Sequence, residues 1–192
     1  PKDTKLNIGA REPLKSVRWV NSLGSKGNGL DIRDMTKAEM THRKSAWNYT
    51  QRIRKTPGYE DVFLAQTTSQ LGVRATRLMN GVARVDKKSA SERAVFADTV
   101  AVSGHDGLRL PEFQIPYGAL LPKTVDNVVV AGRCISCAPD LIDRVRLIPV
   151  CVVTGQAAGV AAALAAKAGV RPRDLPAPEI QKVLREQGAY LG

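Results

Sequence analysis

The sequence predicts an α/β chain of α+β character: part of a parallel-sheet domain follows a mixed β-sheet region that carries a helix. Three observations predict this. Val128-Val129-Val130-Ala131-Gly132 is a run of branched residues ending in glycine, the pattern of a strand covered on both faces. Leu147 to Ala166 holds no formal charge and is long enough for a helix of five turns. Upstream, short branched and apolar segments alternate with turn residues, as in a sheet.

Taken in order, Leu14 to Val20 (LKSVRWV) alternates well enough for a strand, and Gly24 to Gly29 (GSKGNG) supplies a loop. That loop lacks the terminal Lys-Ser/Thr of a phosphate-binding P-loop, and no apolar helix opens after it, so it reads as a turn. Thr36-Lys-Ala-Glu39 reads as a capping box that starts a helix near Lys37. Met40, Trp47, Tyr49 and Ile53 give this helix its apolar face, and Thr56-Pro57-Gly58 stops it. His42 within it reads as a solvated or packed side chain. Asp61 to Thr67 and Val73 to Val85 read as strands joined at Gln70-Leu71-Gly72, followed by a short helix over Ser89 to Val95 and a strand over Ala97 to Val102. Gly104 to Gly107 is a turn by composition, and its His105-Asp106 is the one histidine–acid neighbour pair in the chain.

In the second half, Gln114 to Tyr117 leads to Leu120-Leu121-Pro122, and Asp126-Asn127 turns the chain into the 128–132 run. Ligands gather at the carboxyl ends of parallel strands, so Gly132 and Arg133 sit where a cofactor is expected. Pro149 suits the first turn of the long helix, where a missing N–H costs nothing. Gly155 and Gly159, with Ala158 and Ala162, line a face small enough for another backbone or a flat ring to come close. Gly169 ends this helix, a Pro-rich turn covers 171 to 178, and a helix from Glu179 to Gln187 closes at Gly188.

Composition narrows the function classes. The chain has 192 residues, a net charge of +11, 43% apolar and 5% aromatic content, which suits one ordinary domain or two small ones and not a disordered tail. Residues 1 to 95 carry 19 bases and 9 acids, whereas 96 to 192 carry 10 and 9. A basic half of this kind attracts an anionic ligand or an acidic partner. No aromatic residues interleave with the bases as a nucleic-acid platform requires, so no nucleic-acid partner is expected. The uncharged 147–166 stretch is rich in Ala and Gly and carries Pro149, Thr154 and Gln156, so a buried helix of a soluble protein is expected rather than a membrane span. Three cysteines, Cys134, Cys137 and Cys151, are an odd number, and PKDTKLNIGA lacks the apolar core of a secretory signal; a cytoplasmic chain is expected. Cys134-x-x-Cys137 lacks the second pair that a metal site normally uses, so no metal is expected.

Ile115 to Ser136 (IPYGALLPKTVDNVVVAGRCIS), then Arg146 to Cys151 (RLIPVC) and Gly155 to Gly159 (GQAAG), resembles the carboxyl-terminal part of the FAD-dependent oxidoreductase family, within the glutathione-reductase-like superfamily. Thr36 to Glu39, Trp47, Pro57-Gly58 and Gln70 to Arg77 resemble the family's region upstream, so the resemblance covers nearly the whole chain. The family's G-x-G-x-x-G fingerprint is not found in these residues, so the chain is expected to be a small subunit of a split enzyme or a processed fragment, with the other half of the FAD site on a larger partner polypeptide. The resemblance implies the carboxyl-terminal half of a two-part, Rossmann-like FAD-binding domain over 113–168, a substrate-side region over 1–112 and a helical tail over 169–192, in a hetero-oligomer acting on a small-molecule substrate.

By the same resemblance, Gly132, Arg133 and Cys134 face the ribityl and phosphate part of FAD. Arg146, Ile148, Pro149 and Val150 face the pyrimidine edge of its ring, and Gly155 touches the cofactor or its supporting backbone. Family members commonly show a histidine where this chain has Pro139; Asp140 keeps the following acid, and Asp143 with Arg144 adds charge. Asp140 and Asp143 are therefore the candidate acid–base residues, and a helical loop would bring them to one face. Two alternatives stay open beside an oxidoreductase subunit. One is a redox-neutral hydratase, dehydratase or isomerase that retains FAD; the other is a non-catalytic basic interaction module.

Overall fold

The computed structural model describes Val17, Val20, residues 24–103 and residues 111–192. The expected strand over Leu14 to Val20 lies almost entirely outside the described residues, and the His105-Asp106 turn lies wholly outside them. The chain divides into two compact units, Pro1–Thr76 and Arg77–Gly192.

The first unit is built on α1, Ile32–Ile53. Its N-cap is Asp31, whose carboxylate accepts from the Arg33 N–H at 2.8 Å, so the helix begins five residues before the expected start at Lys37. Thr36 lies inside the helix instead of capping it, and its hydroxyl donates to the Ile32 carbonyl at 2.8 Å. Glu39 pairs with Arg43 one turn on and accepts from the Leu71 N–H at 3.0 Å. Arg43 also donates to the Thr67 hydroxyl and to the Thr68 and Ser69 carbonyls. These bonds correct the expected strands at 61–67 and 73–85: side chains of α1 hold the 67–71 backbone, and neither segment forms a strand among the described residues. The expected apolar face of α1 is also only partly realised, since Ile53 is buried while Met40 and Trp47 are exposed.

The second unit holds the core. Two isolated bridges, Gly81 to Pro122 and Val85 to Cys137, replace the rest of the expected 73–85 strand. The chain then forms α2, Lys87–Ser91, with Asp86 and Ser89 closing a capping box. Strand β1, Thr99–Ser103, pairs antiparallel with β2, Phe113–Pro116, through Ala101 to Ile115 and Ser103 to Phe113. β1 lies close to the expected strand; β2 was not foreseen.

The 128–132 run departs most from expectation. It forms no strand among the described residues, Val128 is exposed, and its recorded ladder-like bond is a single one, from the Val130 N–H to the Leu120 carbonyl at 2.9 Å. A branched run becomes a sheet strand only when a neighbouring strand pairs with it, and among the described residues the sheet is two-stranded, β1 with β2. Short α3, Ile142–Val145, precedes α4, Ile148–Ala168, and α5, Ala177–Glu186, ends the order. α4 and α5 pack against each other and against β1, with Ile115, Ile135, Leu141, Ile180 and Leu184 fully buried in the core. Gly169 closes α4 with φ of +67°, in the left-handed region. α4 is long and apolar enough to cross a membrane by length and composition. It is not buried all round, as expected, but along the stripe Val150, Thr154, Ala157, Val160, Ala161 and Ala165.

Candidate functional site

The site begins where the 128–131 segment meets α4. Ala131 is extended, and Gly132 turns into the left-handed region with φ of +60°, opening a 3₁₀ turn over Gly132–Cys134. A side chain is disfavoured there twice over, by the left-handed φ and because a Cβ on Gly132 would lie 3.1 Å from the Cys151 Sγ, which would have to give way. Below the turn, the Ser136 N–H donates to the Ala119 carbonyl at 2.8 Å. Above it, the Gly132 N–H donates to the Thr154 hydroxyl at 2.9 Å, which itself donates to the Val150 carbonyl at 2.6 Å. The glycine turn and the first two turns of α4 are thus fastened together by a buried threonine. Sequence reasoning missed Thr154 and Cys151 as parts of this site. The available signal was a hydroxyl in the middle of an Ala/Gly/Val helix, where a polar atom needs a partner.

The structure brings Gly132 and Val150 to this junction, both buried, with Arg133 and Cys134 exposed on the turn. At the start of α4, Leu147 provides no side-chain cap, Pro149 has no N–H to satisfy, and Ile148 is 80% exposed. The N–H groups of this first turn and the positive end of the helix dipole are therefore directed at whatever lies before α4. Arg146 donates from Nε to Asp143 Oδ1 at 2.9 Å, an exposed pair three residues apart. Asp140 lies in the turn before α3, outside the helix, so the helical spacing expected to bring it and Asp143 to one face is not realised. Gly155 and Gly159 are exposed, and a Cβ on either would meet no atom within 4 Å. The small face of α4 is thus open rather than packed by described residues.

All three cysteines are free, and no group of three His, Cys, Asp or Glu side chains suited to a metal occurs among the described residues. Burial pushes the Cys137 thiol above its ordinary range, with Asp140 adding to the effect and Arg84 opposing it. Cys137 therefore stays a neutral thiol at physiological pH, a poor nucleophile. In the first unit, an open hollow of about 660 Å³ lies between α1 and residues 70–73, bordered by Met35, Glu39, Met40 and Leu71.

Fold and site define an α+β protein in which a left-handed glycine turn is fastened to an uncapped helix start beside an open small-residue face. Residues 7–184 match the family described as FAD dependent oxidoreductase, and the chain belongs to that family. Its cofactor is accordingly FAD, and its general activity is flavin-dependent oxidation and reduction. No curated protein and no solved structure matches the chain.

Proposed function

We propose that this chain completes the flavin site and substrate cavity of an FAD-dependent oxidoreductase whose G-x-G-x-x-G region lies on a larger partner subunit. The observation that carries this reading is the Gly132 turn bonded to α4 through Thr154, in a chain of this family. The donor chemistry fits FAD: a side chain is disfavoured at Gly132, the start of α4 has no side-chain cap, and the space at Gly155 is open to a flat ring or a second backbone. Gly132, Arg133 and Cys134 would hold the ribityl and phosphate part, and Ile148, Pro149, Val150 and Arg146 the pyrimidine edge. Bound FAD supplies a two-electron acceptor. The residues of this chain shape its neighbourhood: the helix dipole and Arg146 favour negative charge at the ring, and Asp143 holds the Arg146 guanidinium in place. Asp140 and Asp143 are the carboxylates available for proton transfer.

In this reading residues 1–112 face the substrate, 113–168 the flavin, and 169–192 form a helical tail. The assembly is cytoplasmic and acts on a small molecule. The 128–131 segment, bonded to the Leu120 carbonyl only through the Val130 N–H and forming no strand, supports a partner subunit that would add a further strand beside it. The test is to purify the chain together with whatever it assembles with, record flavin absorbance, and add candidate substrates without oxygen. A yellow heteromer bleached by substrate is expected. A flavin-free complex, or a lone chain that is monomeric and yellow, rejects the proposal.

A further inference from the structure

We infer that Thr154 is a positioning residue of the flavin site, setting how far the Gly132 turn stands from the start of α4. The inference rests on the reading above, in which those two segments face the cofactor. A threonine hydroxyl has one proton and two acceptor positions. Here the proton is committed to the Val150 carbonyl at 2.6 Å, with the Cys151 carbonyl also near at 3.3 Å. That commitment turns a lone pair toward the Gly132 N–H, which it accepts at 2.9 Å. Thr154 is fully buried, so neither bond exchanges with water.

A threonine bonding back to a carbonyl one turn earlier is common in helices; accepting from a separate chain segment is what ties two parts of a site together. The same contact is tightened by Cys151, whose Sγ fills the space a side chain at Gly132 would need. The turn cannot slide along α4 without breaking the bond from the Gly132 N–H to the Thr154 hydroxyl. The distance between the two cofactor-facing segments is therefore fixed by the hydroxyl of a residue that need not touch the cofactor itself.

The experiment compares Thr154→Val, which keeps the shape and removes the hydroxyl, with Thr154→Ser, which keeps the hydroxyl, in the complete flavin-loaded assembly. FAD affinity is measured by fluorescence on dilution, and the visible spectrum and reduction potential of the retained flavin are recorded. Thr154→Val leaves the buried Gly132 N–H unpaired, so FAD affinity should fall about tenfold or more. The retained flavin should show a changed spectrum and a lower potential, because the helix start no longer sits at its set distance. Thr154→Ser should restore all three to near the parent values. Unchanged affinity in Thr154→Val overturns the inference, and so does weaker binding with spectrum and potential unchanged, which is the mark of a merely structural residue. If Thr154→Val fails to assemble, Thr154→Ser against Thr154→Ala decides in the same way. Gly132→Val separates this inference from the proposal beneath it. If Gly132→Val also leaves FAD affinity unchanged, the flavin placement itself is wrong; if Gly132→Val weakens it and Thr154→Val does not, only the role of Thr154 is lost.

Discussion

Helices α1 and α4 are nearly the same length, 22 and 21 residues, and follow opposite designs. α1 is polar overall with scattered large apolar side chains, and it buries only Thr50 and Ile53 while Ile32, Met40 and Trp47 stay exposed. α4 is apolar nearly all round, buries a stripe of six residues, and leaves Ile148, Val152, Gly155 and Gly159 open. A helix apolar on every side is expected to be covered on every side. The lesson is that burial inside the chain measures only one face of α4, and that its other face, smooth with glycine and alanine, is the one to test for contact with cofactor or partner.

The largest expected effect tests the covered face. Leu184 on α5 is fully buried in the cluster that packs α4, whereas Met40 on α1 is 67% exposed. Leu184→Ala should destabilise the protein by about 2–5 kcal/mol, and Met40→Ala by no more than about 0.5 kcal/mol. Urea unfolding of both variants measures the contrast. Equal losses would mean that the face of α1 is covered after all, and the comparison would break.

Gly155→Leu tests the open face. Nothing in the chain obstructs a side chain there, and leucine favours helix over glycine by about 1 kcal/mol, so the chain's own stability should hold or rise. Flavin content of the assembly should nevertheless fall by an order of magnitude through overlap with what lies outside. Undiminished flavin in a folded Gly155→Leu assembly would show that this face touches neither cofactor nor its support.

The difference between the helices also explains what the sequence made legible. α4 and α5 were readable because Pro149, Gly169 and Gly188 punctuate them, and β1 because its run of apolar residues is buried within the chain. α1 was placed late because Thr36 and Glu39 match a capping box by spacing, while Asp31, a stronger cap directly before the helix, went unread. The 61–67 and 128–132 segments show the limit of composition: branched residues make strands only where an edge is available, and the edges here are elsewhere or absent among the described residues. Gly132 was singled out by its place after the valine run; a 3₁₀ turn, and no strand among the described residues, delivers it. Thr154 was invisible for a physical reason, since its partner lies 22 residues away and only folding reveals the pairing.

A smaller effect sharpens the packed side. The Tyr117 hydroxyl donates to the Pro172 carbonyl at 2.8 Å, tying the connection between α4 and α5 to the turn after β2. Tyr117→Phe should cost about 0.5–1.5 kcal/mol near neutral pH. Burial pushes the Tyr117 phenol up to about 12 from its ordinary 10. The unfolded chain therefore loses its proton first, and the stability contributed by the neutral phenol is complete below pH 10 and disappears as pH rises through about 12. Stability measured from pH 9 to 12 should fall more steeply in the parent than in Tyr117→Phe. Parallel curves would place the alkaline loss in another group.

The smallest expected change in stability lies in front of the open face, at the Asp143–Arg146 pair. The Asp143 side chain is 64% exposed, and exposed pairs of this kind contribute about 0–1 kcal/mol, so Asp143→Asn should hardly alter unfolding. Its effect on chemistry separates two roles that geometry alone leaves together. If Asp143 only restrains Arg146, its neutral replacement removes one negative charge beside the start of α4, and the reduction potential of the bound flavin should rise slightly with turnover nearly intact. If Asp143 is the acid–base group, turnover should drop by about 10² to 10⁴ while flavin content and stability stay constant. The same measurement on Asp140→Asn completes the pair, because Asp140 stands outside α3 and its loss leaves the Arg146 contact in place. Near-normal turnover in both variants would remove the carboxylates from proton transfer, and leave the loop before α4 as the element that fixes the charge next to the flavin.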